Sequence, residues 1–308
     1  MKVVDIAGRP DLAQVYVIQV RDDPSSLVEC VGAIDPALPR SQKMVIVVST
    51  QLGCPVRCAM CDAGTDYRGN LTKAEIRGQI AHVLEHWAGP DARRCAKLKV
   101  QFARMGEPSL NPAVLEVIEE LGQEKLFDGL IPCIATTAPR AGAAWLEELV
   151  GVRDRWFGEG RFQLQMSIQS TSEATRDRMI PIRKWTLLEI AAFAQRITGP
   201  RDRKVTLNFA LAEGVEVSPE ALANTFDPTA CLVKLTPLNP TYQAERSGLS
   251  TAFAPGGEES IQSLVAQIRA FGFECIVSTG LAEESELNTS CGQLARIRRP
   301  GVGEASAG

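Results

Sequence analysis

The sequence lacks the features that would indicate export or membrane insertion. No apolar stretch approaches the roughly 20 residues that a membrane-spanning helix needs, and the first five residues do not resemble a signal peptide. Nine cysteines would suggest disulfides in a small secreted protein, but in a 308-residue chain without an export signal they indicate reduced thiols and metal ligands. We therefore expect a cytoplasmic protein that does not bind membranes.

An excess of positive charge is also missing. The chain has 33 Lys and Arg against 37 Asp and Glu, and this net charge of −4 argues against nucleic-acid binding. The only two histidines, His82 and His86, have no third metal ligand nearby and indicate an ordinary helix surface. One local basic cluster is compatible with a solvated helix face or a phosphate site: Arg176, Arg178, Arg183 and Lys184. The tryptophans are too scattered to define a base-stacking platform: Trp87, Trp145, Trp156 and Trp185.

What the sequence does contain is a regular alternation of short apolar runs and amphipathic helical patterns. The runs lie at residues 44–49, 98–103, 131–136, 162–168, 204–211 and 231–236. The helical patterns lie at residues 73–87, 112–121, 142–149, 187–197 and 219–226, followed by a helix at 258–271 and a strand at 273–278. This alternation predicts an α/β fold with parallel strands and right-handed crossovers. Six units would form an open, partial (β/α)6 barrel with its active site at the carboxyl ends of the strands.

The chain ends differ in pattern from this repeating part. Residues 14–20 and 27–33 predict an antiparallel pair, so we assign residues 1–40 to an N-terminal β extension. The partial barrel then covers residues 41–298, and its last part forms a C-terminal segment over the barrel mouth. The tail at 299–308 is rich in Gly, Ala and Ser and is predicted to be disordered.

The most specific motif is a C-x3-C-x2-C triad, Cys54, Cys58 and Cys61, directly after the first barrel strand. Three thiolates in so short a loop can converge on one face of an iron–sulfur cube, and one iron is then left without a protein thiolate. This spacing is typical of radical S-adenosylmethionine (SAM) enzymes, in which the amino and carboxylate groups of SAM bind that iron. The alternatives are a zinc knuckle and three incidental cysteines. Zinc sites prefer two separated ligand pairs, and no second pair or nearby His follows here.

Polar residues follow three further barrel strands. Gly106 and Glu107, in Met-Gly-Glu-Pro after the second strand, offer a carboxylate and exposed backbone suited to the ammonium group of SAM. Ser167 and Gln169 close the fourth strand, and Asn239 follows the sixth, where they can contact ribose and adenine. Loop capping is the alternative interpretation of these last three residues.

The whole pattern resembles the class A radical SAM methyltransferases that methylate adenine C2 in ribosomal and transfer RNA, together with their C8-methylating antibiotic-resistance relatives. The similarity runs from about residue 16 to residue 294. It is carried by segments 49–54 (STQLGC), 105–111 (MGEPSLN), 166–168 (MSI), 176–182 (RDRMIPI), 237–240 (PLNP) and 290–294 (SCGQL).

The resemblance implies two cofactors, a [4Fe-4S] cluster held by the cysteine triad and SAM, and an external electron donor of the ferredoxin or flavodoxin type. It implies SAM contacts at Gly106, Glu107, Ser167, Gln169 and Asn239, with Thr137 as a further candidate. The family has a His where Gln169 stands. Glu29 falls near a glutamate assigned in the family as a proton acceptor, although the spacing is longer here.

Cys291, in Cys-Gly-Gln-Leu, corresponds to the methyl-carrying cysteine of these enzymes. The resemblance implies that it takes a methyl group from one SAM. A radical derived from a second SAM then abstracts a hydrogen from the S-methyl group, and the resulting methylene adds to a substrate carbon. The alternative interpretation is a plain C-terminal thiol.

Two departures from the family bear on the substrate. Val47 occupies the position of a second essential cysteine, which in the family resolves the covalent adduct between protein and substrate. A valine cannot do this. Three alternatives follow: another thiol such as Cys30 substitutes, the chemistry of the substrate releases the adduct, or the reaction is not methylation. Cys30 lies in an apolar run, however, and a free cysteine is commonly a small core residue, which is the interpretation that we favour. The RNA enzymes also carry an N-terminal RNA-binding domain, whereas this chain begins almost at the core.

These departures favour a small heteroaromatic or nucleoside-like substrate over RNA. The alternatives are an RNA adenine methyltransferase with altered adduct resolution and a non-catalytic iron–sulfur or zinc protein.

Overall fold

The predicted apolar runs form the strands of one large sheet in the computed structural model, which describes residues 1–253, 258–278 and 292–298. In chain order the strands are β1 (Lys2–Arg9), β2 (Ala13–Gln19), β3 (Leu27–Ile34), β4 (Met44–Val48), β5 (Gln51–Leu52), β6 (Gly69–Asn70), β7 (Leu98–Phe102), β8 (Leu130–Thr136), β9 (Gln163–Ser167), β10 (Val205–Leu211), β11 (Cys231–Pro237) and β12 (Cys275–Val277).

The sheet has ten strands in the order β1-β2-β3-β4-β7-β8-β9-β10-β11-β12, and β5 and β6 form a separate small ribbon. Strands β1 to β4 pair antiparallel, and every pair from β4 to β12 is parallel. The predicted open, partial barrel is therefore confirmed, with β12 as a seventh parallel strand. The N-terminal strands continue the barrel sheet through β3 and β4. The domain limits at residues 40 and 298 stay predictions, and the tail at 299–308 lies outside the described residues.

Helices connect the parallel strands. They are α1 (Lys73–Val83), α2 (Ala113–Glu124), α3 (Ala143–Trp156), α4 (Glu173–Met179), α5 (Leu187–Ile197), α6 (Pro219–Thr225), α7 (Tyr242–Arg246), α8 (Glu258–Ala270) and a C-terminal helix (Gln293–Ile297). Capping boxes start two of them: Thr72 with Glu75 at α1 and Thr186 with Glu189 at α5. In the described ranges, none of the helices combines the length and apolar character needed to cross a bilayer.

The two faces of the parallel strands differ in polarity. In β7, Leu98, Val100 and Phe102 are buried on the helix-covered side, while Lys99 and Gln101 point to the concave inner side. The outer face thus forms the apolar core, and the inner face of the open barrel is polar.

Two residues of the basic cluster after β9 depart from both expectations, whereas Arg178 and Arg183 are exposed. Arg176 is fully buried and donates hydrogen bonds to the carbonyl oxygens of Ile168 and Trp185. The Lys184 ammonium donates to the Ile180 carbonyl and to Asp177. Both cations therefore stabilise the chain between α4 and α5 instead of facing solvent.

Candidate active site

The cysteine loop leaves the small strand β5 through a sharp turn. Gly53 has φ of +75°, and a Cβ on it would lie 1.9 Å from the Asp66 carbonyl oxygen. Arg57, inside the loop, has φ of +56°. Only glycine fits the close approach at residue 53, so the loop is folded tightly against the chain that follows it.

The three thiols of the loop lie in one electrostatic environment. Burial raises the pKa of Cys54 to about 12, and burial raises the pKa of Cys58 well above its usual range. The neighbouring Cys61 and Cys54 thiols and the Glu107 carboxylate raise the pKa of Cys58 further. The three thiols and the Glu107 carboxylate are thus close enough to influence one another's charge. Because metal ligation requires thiolates, binding there must displace protons.

The thiols do not form a site for a single metal ion. Within the three described stretches of chain, no three His, Cys, Asp or Glu side chains converge closely enough to hold one metal ion. In a tetrahedral zinc site, sulfur atoms would lie about 3.8 Å apart, given the Zn–S bond length. In a cube-type cluster each thiolate binds a different iron and one iron stays open, so the triad remains the candidate ligand set for such a cluster.

Glu107 connects the cluster loop to the next two strands. Its Oε1 accepts hydrogen bonds from the Ser109 amide and hydroxyl and from the Thr136 hydroxyl, at 2.6–3.1 Å. Its Oε2 accepts from the Thr137 amide and hydroxyl at 2.8 and 2.9 Å. The structure thus brings the predicted residues Gly106, Glu107 and Thr137 together beside the thiols. Protein donors already hold the carboxylate, so its contact with SAM stays a prediction.

We expect Gly106→Ala to disturb the cluster loop. Gly106 has φ of +103°, and a Cβ would lie 2.6 Å from Thr50 Oγ1 and 2.7 Å from Gln51 Cβ. The left-handed backbone alone costs about 1–2 kcal/mol in an alanine, and the clash adds to this cost. Urea denaturation and the rate of SAM cleavage measure the effect.

Gly69→Ala is the matched control for that substitution. Gly69 has φ of +114° but no atom within 4 Å of its Cβ position, so it isolates backbone strain. Equal losses of unfolding free energy in the two variants would contradict the proposed contact of Gly106 with Thr50 and Gln51.

The remaining predicted SAM contacts also lie at the carboxyl ends of strands. Ser167 ends β9, opposite Asn208 of β10. Gln169 follows with φ of +69°, and its side-chain oxygen accepts a hydrogen bond from the Ala210 amide. Asn239 is exposed in the turn after β11. All of these residues are on the predicted edge, and their contacts with SAM stay predictions.

Glu29 is bound to the segment that follows Cys291. Its side chain is fully buried and forms an ion pair with Arg104 at 2.7 Å. The same carboxylate accepts hydrogen bonds from the amides of Gly292 at 2.9 Å and Ala295 at 2.8 Å. Cys291 itself lies outside the described residues. Glu29 therefore fixes the residue next to Cys291 to the edge of the sheet that carries the cluster loop.

The cluster loop contacts the same C-terminal segment. Asp62, directly after Cys61, is buried and accepts a hydrogen bond from Arg296 at 2.8 Å. It also accepts hydrogen bonds from the first amides of α7, those of Tyr242 and Gln243. Two chain regions that flank the barrel mouth thus meet at one carboxylate.

Gly292 lies directly against the cluster loop. A Cβ on this residue would lie 2.7 Å from the Ala63 amide nitrogen, and its φ is +84°. Only glycine allows this approach, so the backbone beside Cys291 packs on the chain that carries the cysteine triad.

Val47 stands where the family resemblance places a second essential cysteine. Val47 lies on β4 and faces the same side as Val45, which lines the barrel interior. Cys30 is fully buried and alternates with Glu29 along β3, so it faces the other side of the sheet. Burial raises the pKa of Cys30 to about 12. This geometry favours the interpretation of Cys30 as a core residue.

Comparison with known proteins adds the family. The probable dual-specificity RNA methyltransferase RlmN of Chlorobaculum tepidum is 29% identical over 304 residues, which cover 94% of this chain and 72% of that protein. The protein of the same description from a Synechococcus species is 30% identical over 253 residues, or 79% of this chain and 67% of that protein. The chain belongs to the RlmN family of radical SAM methyltransferases.

The fold of the family is confirmed by a solved structure. The crystal structure of a radical SAM methyltransferase from Sphaerobacter thermophilus aligns with a TM-score of 0.72 at 22% identity, covering 95% of this chain and 80% of that chain. A comparison with models of protein families gives no match.

Family membership identifies the chain as a radical SAM enzyme with a [4Fe-4S] cluster and SAM as cofactors. It sets aside the non-catalytic alternative. Sequence reasoning missed two residues of the site, Arg104 and Asp62. Each of them directly adjoins a recognised motif, the Met-Gly-Glu-Pro turn and the third cluster cysteine, and this adjacency was the available signal.

Proposed function

We propose that this protein is a cytoplasmic methyltransferase that uses Cys291 as methyl and methylene carrier to modify a carbon of a small heteroaromatic or nucleoside-like substrate. The observation that carries the proposal is the double attachment of Gly292, to Glu29 through its amide and to Ala63 through backbone packing. A chain attached in this way beside the cluster loop suits a cysteine that must meet both SAM and substrate.

Different residues would bind the cluster and the two halves of SAM. Cys54, Cys58 and Cys61 would hold the cluster, and Gly106 and Glu107 would bind the methionine half of SAM. When bound and reduced with electrons from an external donor, the cluster supplies the electron that cleaves SAM. Ser167, Gln169, Asn239 and Thr137 would orient its nucleoside half.

Val47 and the distribution of charge support a small substrate. Val47 can neither form a disulfide nor transfer a proton, so an adduct of the family type needs another route of release. Arg176 and Lys184 form internal hydrogen bonds, which leaves fewer cations for a nucleic-acid surface. Both features favour a substrate whose chemistry differs from that of adenine in RNA.

We expect SAM to methylate Cys291 in the anaerobically reconstituted protein. Cys291 is expected to be the acceptor because Gly292, the next residue, is attached beside the cluster loop, and peptide mass spectrometry after incubation with SAM measures its methylation. The predicted result is one methyl group on the Cys291 peptide, with none in Cys291→Ala. An unmodified Cys291 together with continued reductive cleavage of SAM would contradict methyl carriage and leave the rest of the enzyme assignment intact.

RNA adenine methylation is the second candidate, and the names of the curated relatives favour it. It requires RNA binding that weakens steeply as salt rises, because phosphate contacts release counterions. A steep salt dependence together with methylated RNA product would therefore replace the small-molecule proposal.

A further inference from the structure

The inner face of the open barrel encloses a cavity of about 640 Å³. It extends from Lys43, before β4, along the strands to Ala103, after β7. Its lower part lies near the amino ends of the strands, opposite the edge that carries the cysteine loop. A volume of this size accommodates a small organic ligand.

Positive charge dominates the cavity wall. Five cationic side chains line it, Lys43, Lys99, Arg203, Lys204 and Lys234, against two acidic ones, Asp202 and Glu274. The acidic groups do not offset the inner cations. Asp202 accepts a hydrogen bond from the Gly199 amide, and Glu274 is exposed.

Two of the cations lie on the strands themselves and have no carboxylate partner. The Lys99 ammonium donates only to the Gln163 side-chain oxygen, at 2.7 Å. Lys234 has neither a hydrogen bond nor an ion pair from its side chain within residues 1–253, 258–278 and 292–298. Lys43, by contrast, pairs with Asp35 at 2.9 Å. The Lys99 and Lys234 side chains are both half-buried along the cavity, and in the described residues neither ammonium has a carboxylate partner that would compete with a bound anion.

The electrostatics agree with this geometry. Burial lowers the pKa of Lys234, and the charges of Lys99 and Lys43 lower it further. Burial likewise lowers the pKa of Lys99. An anion between the two ammonium groups would relieve both effects.

A buried acceptor on the same face also lacks a partner. Asn208 is 9% exposed and its Oδ1 has no hydrogen bond. Thr206, two residues earlier on β10, lines the cavity, so Asn208 faces the same side, next to Lys234 of β11. Buried acceptors of this kind normally find a donor, and ionised phosphate oxygens offer none, so this acceptor is not one of the contacts of a bound anion.

We propose that the barrel interior is a binding site for a small phosphate-bearing anion, held between Lys99 and Lys234. The amides of Gln101 and Gln165 and the hydroxyl of Thr206 provide further donors around it. Charge-assisted hydrogen bonds from two ammonium groups give the site its preference for a compact, multiply charged ligand. This site lies beyond the proposed methyl transfer and does not depend on it.

Isothermal titration of the reconstituted, unreduced enzyme with inorganic pyrophosphate tests the site. We expect saturable binding, and a loss of affinity of about tenfold or more in Lys234→Met, which corresponds to one charged contact. The double variant Lys99→Met with Lys234→Met should show no binding. Lys97→Met is the matched control, because Lys97 is exposed and outside the cavity wall.

Two further measurements test whether a loss of affinity is due to misfolding, and whether the site prefers phosphate groups to other anions. Without ligand, Lys234→Met should be about as stable as the parent, since the half-buried Lys234 side chain has no ion pair in the described residues that the substitution would break. Citrate at matched ionic strength should bind more weakly than pyrophosphate. The proposal is overturned if titration with pyrophosphate releases no more heat than titration with KCl. It is also overturned if Lys97→Met and Lys234→Met lose affinity equally, or if citrate binds more tightly than pyrophosphate.

Discussion

Cys58→Ala should abolish SAM cleavage. The Cys58 thiol shares its environment with those of Cys54 and Cys61, and a cube with one open iron needs all three protein thiolates. We expect iron to fall from about four atoms per chain towards zero, with production of 5′-deoxyadenosine at the background rate. Iron analysis, the visible absorption of the cluster and product formation under reduction measure these effects.

Cys231→Ala is the control for this loss. Cys231 is buried at the start of β11, and burial raises its pKa to about 12, as it does for Cys54. Its removal shortens one core side chain and should cost roughly 1 kcal/mol or less of stability, with iron content unchanged. Retention of iron and of SAM cleavage in Cys58→Ala would show that the triad does not hold the cluster.

Local sequence patterns predicted the barrel because each strand–helix unit has its own apolar run and its own helix-start residues. The helix predicted at residues 187–197 has the observed bounds of α5, since Thr186 and Glu189 mark its start. Strand β1 was missed because it is an edge strand with mostly exposed or half-buried side chains. Helices α4 and α7, of seven and five residues, were missed because they show too little periodicity, whereas the equally short α6 has a proline at its first position.

The edge that carries the site could be predicted, but its internal contacts could not. Parallel strands place Gly106, Ser167 and Asn239 at one edge whatever their side chains do. The pairs Glu29–Arg104 and Asp62–Arg296 join residues 75 and 234 positions apart. A local sequence pattern cannot predict contacts between residues so far apart in the chain. The hydrogen bonds from the buried Arg176 to backbone carbonyl groups could not be predicted either.

Glu29→Gln should strongly destabilise the protein. The substitution leaves the Arg104 guanidinium, whose side chain is only 8% exposed, without its charge partner. It also weakens the acceptor for the Gly292 and Ala295 amides. Breaking one member of a buried ion pair costs about 3–5 kcal/mol, which chemical denaturation measures. The surface variant Glu147→Gln breaks an ion pair with Arg196 whose side chains are 54% exposed, and it should cost at most about 1 kcal/mol.

The same variant separates two roles for Glu29. If the carboxylate mainly holds the chain beside Cys291, methylation of Cys291 by SAM should fall together with stability. If it acts only as a proton acceptor in the later steps, methylation should remain and only substrate turnover should be lost. Replacing Glu29 and Arg104 together by Leu and Met removes the unpaired charge, so stability should recover. Methylation should stay low in that double variant, because an apolar side chain cannot accept the hydrogen bonds of Gly292 and Ala295. Recovery of both stability and methylation would show that the reaction needs neither the ion pair nor the attachment of the C-terminal segment, and that the loss in Glu29→Gln comes from the uncompensated charge.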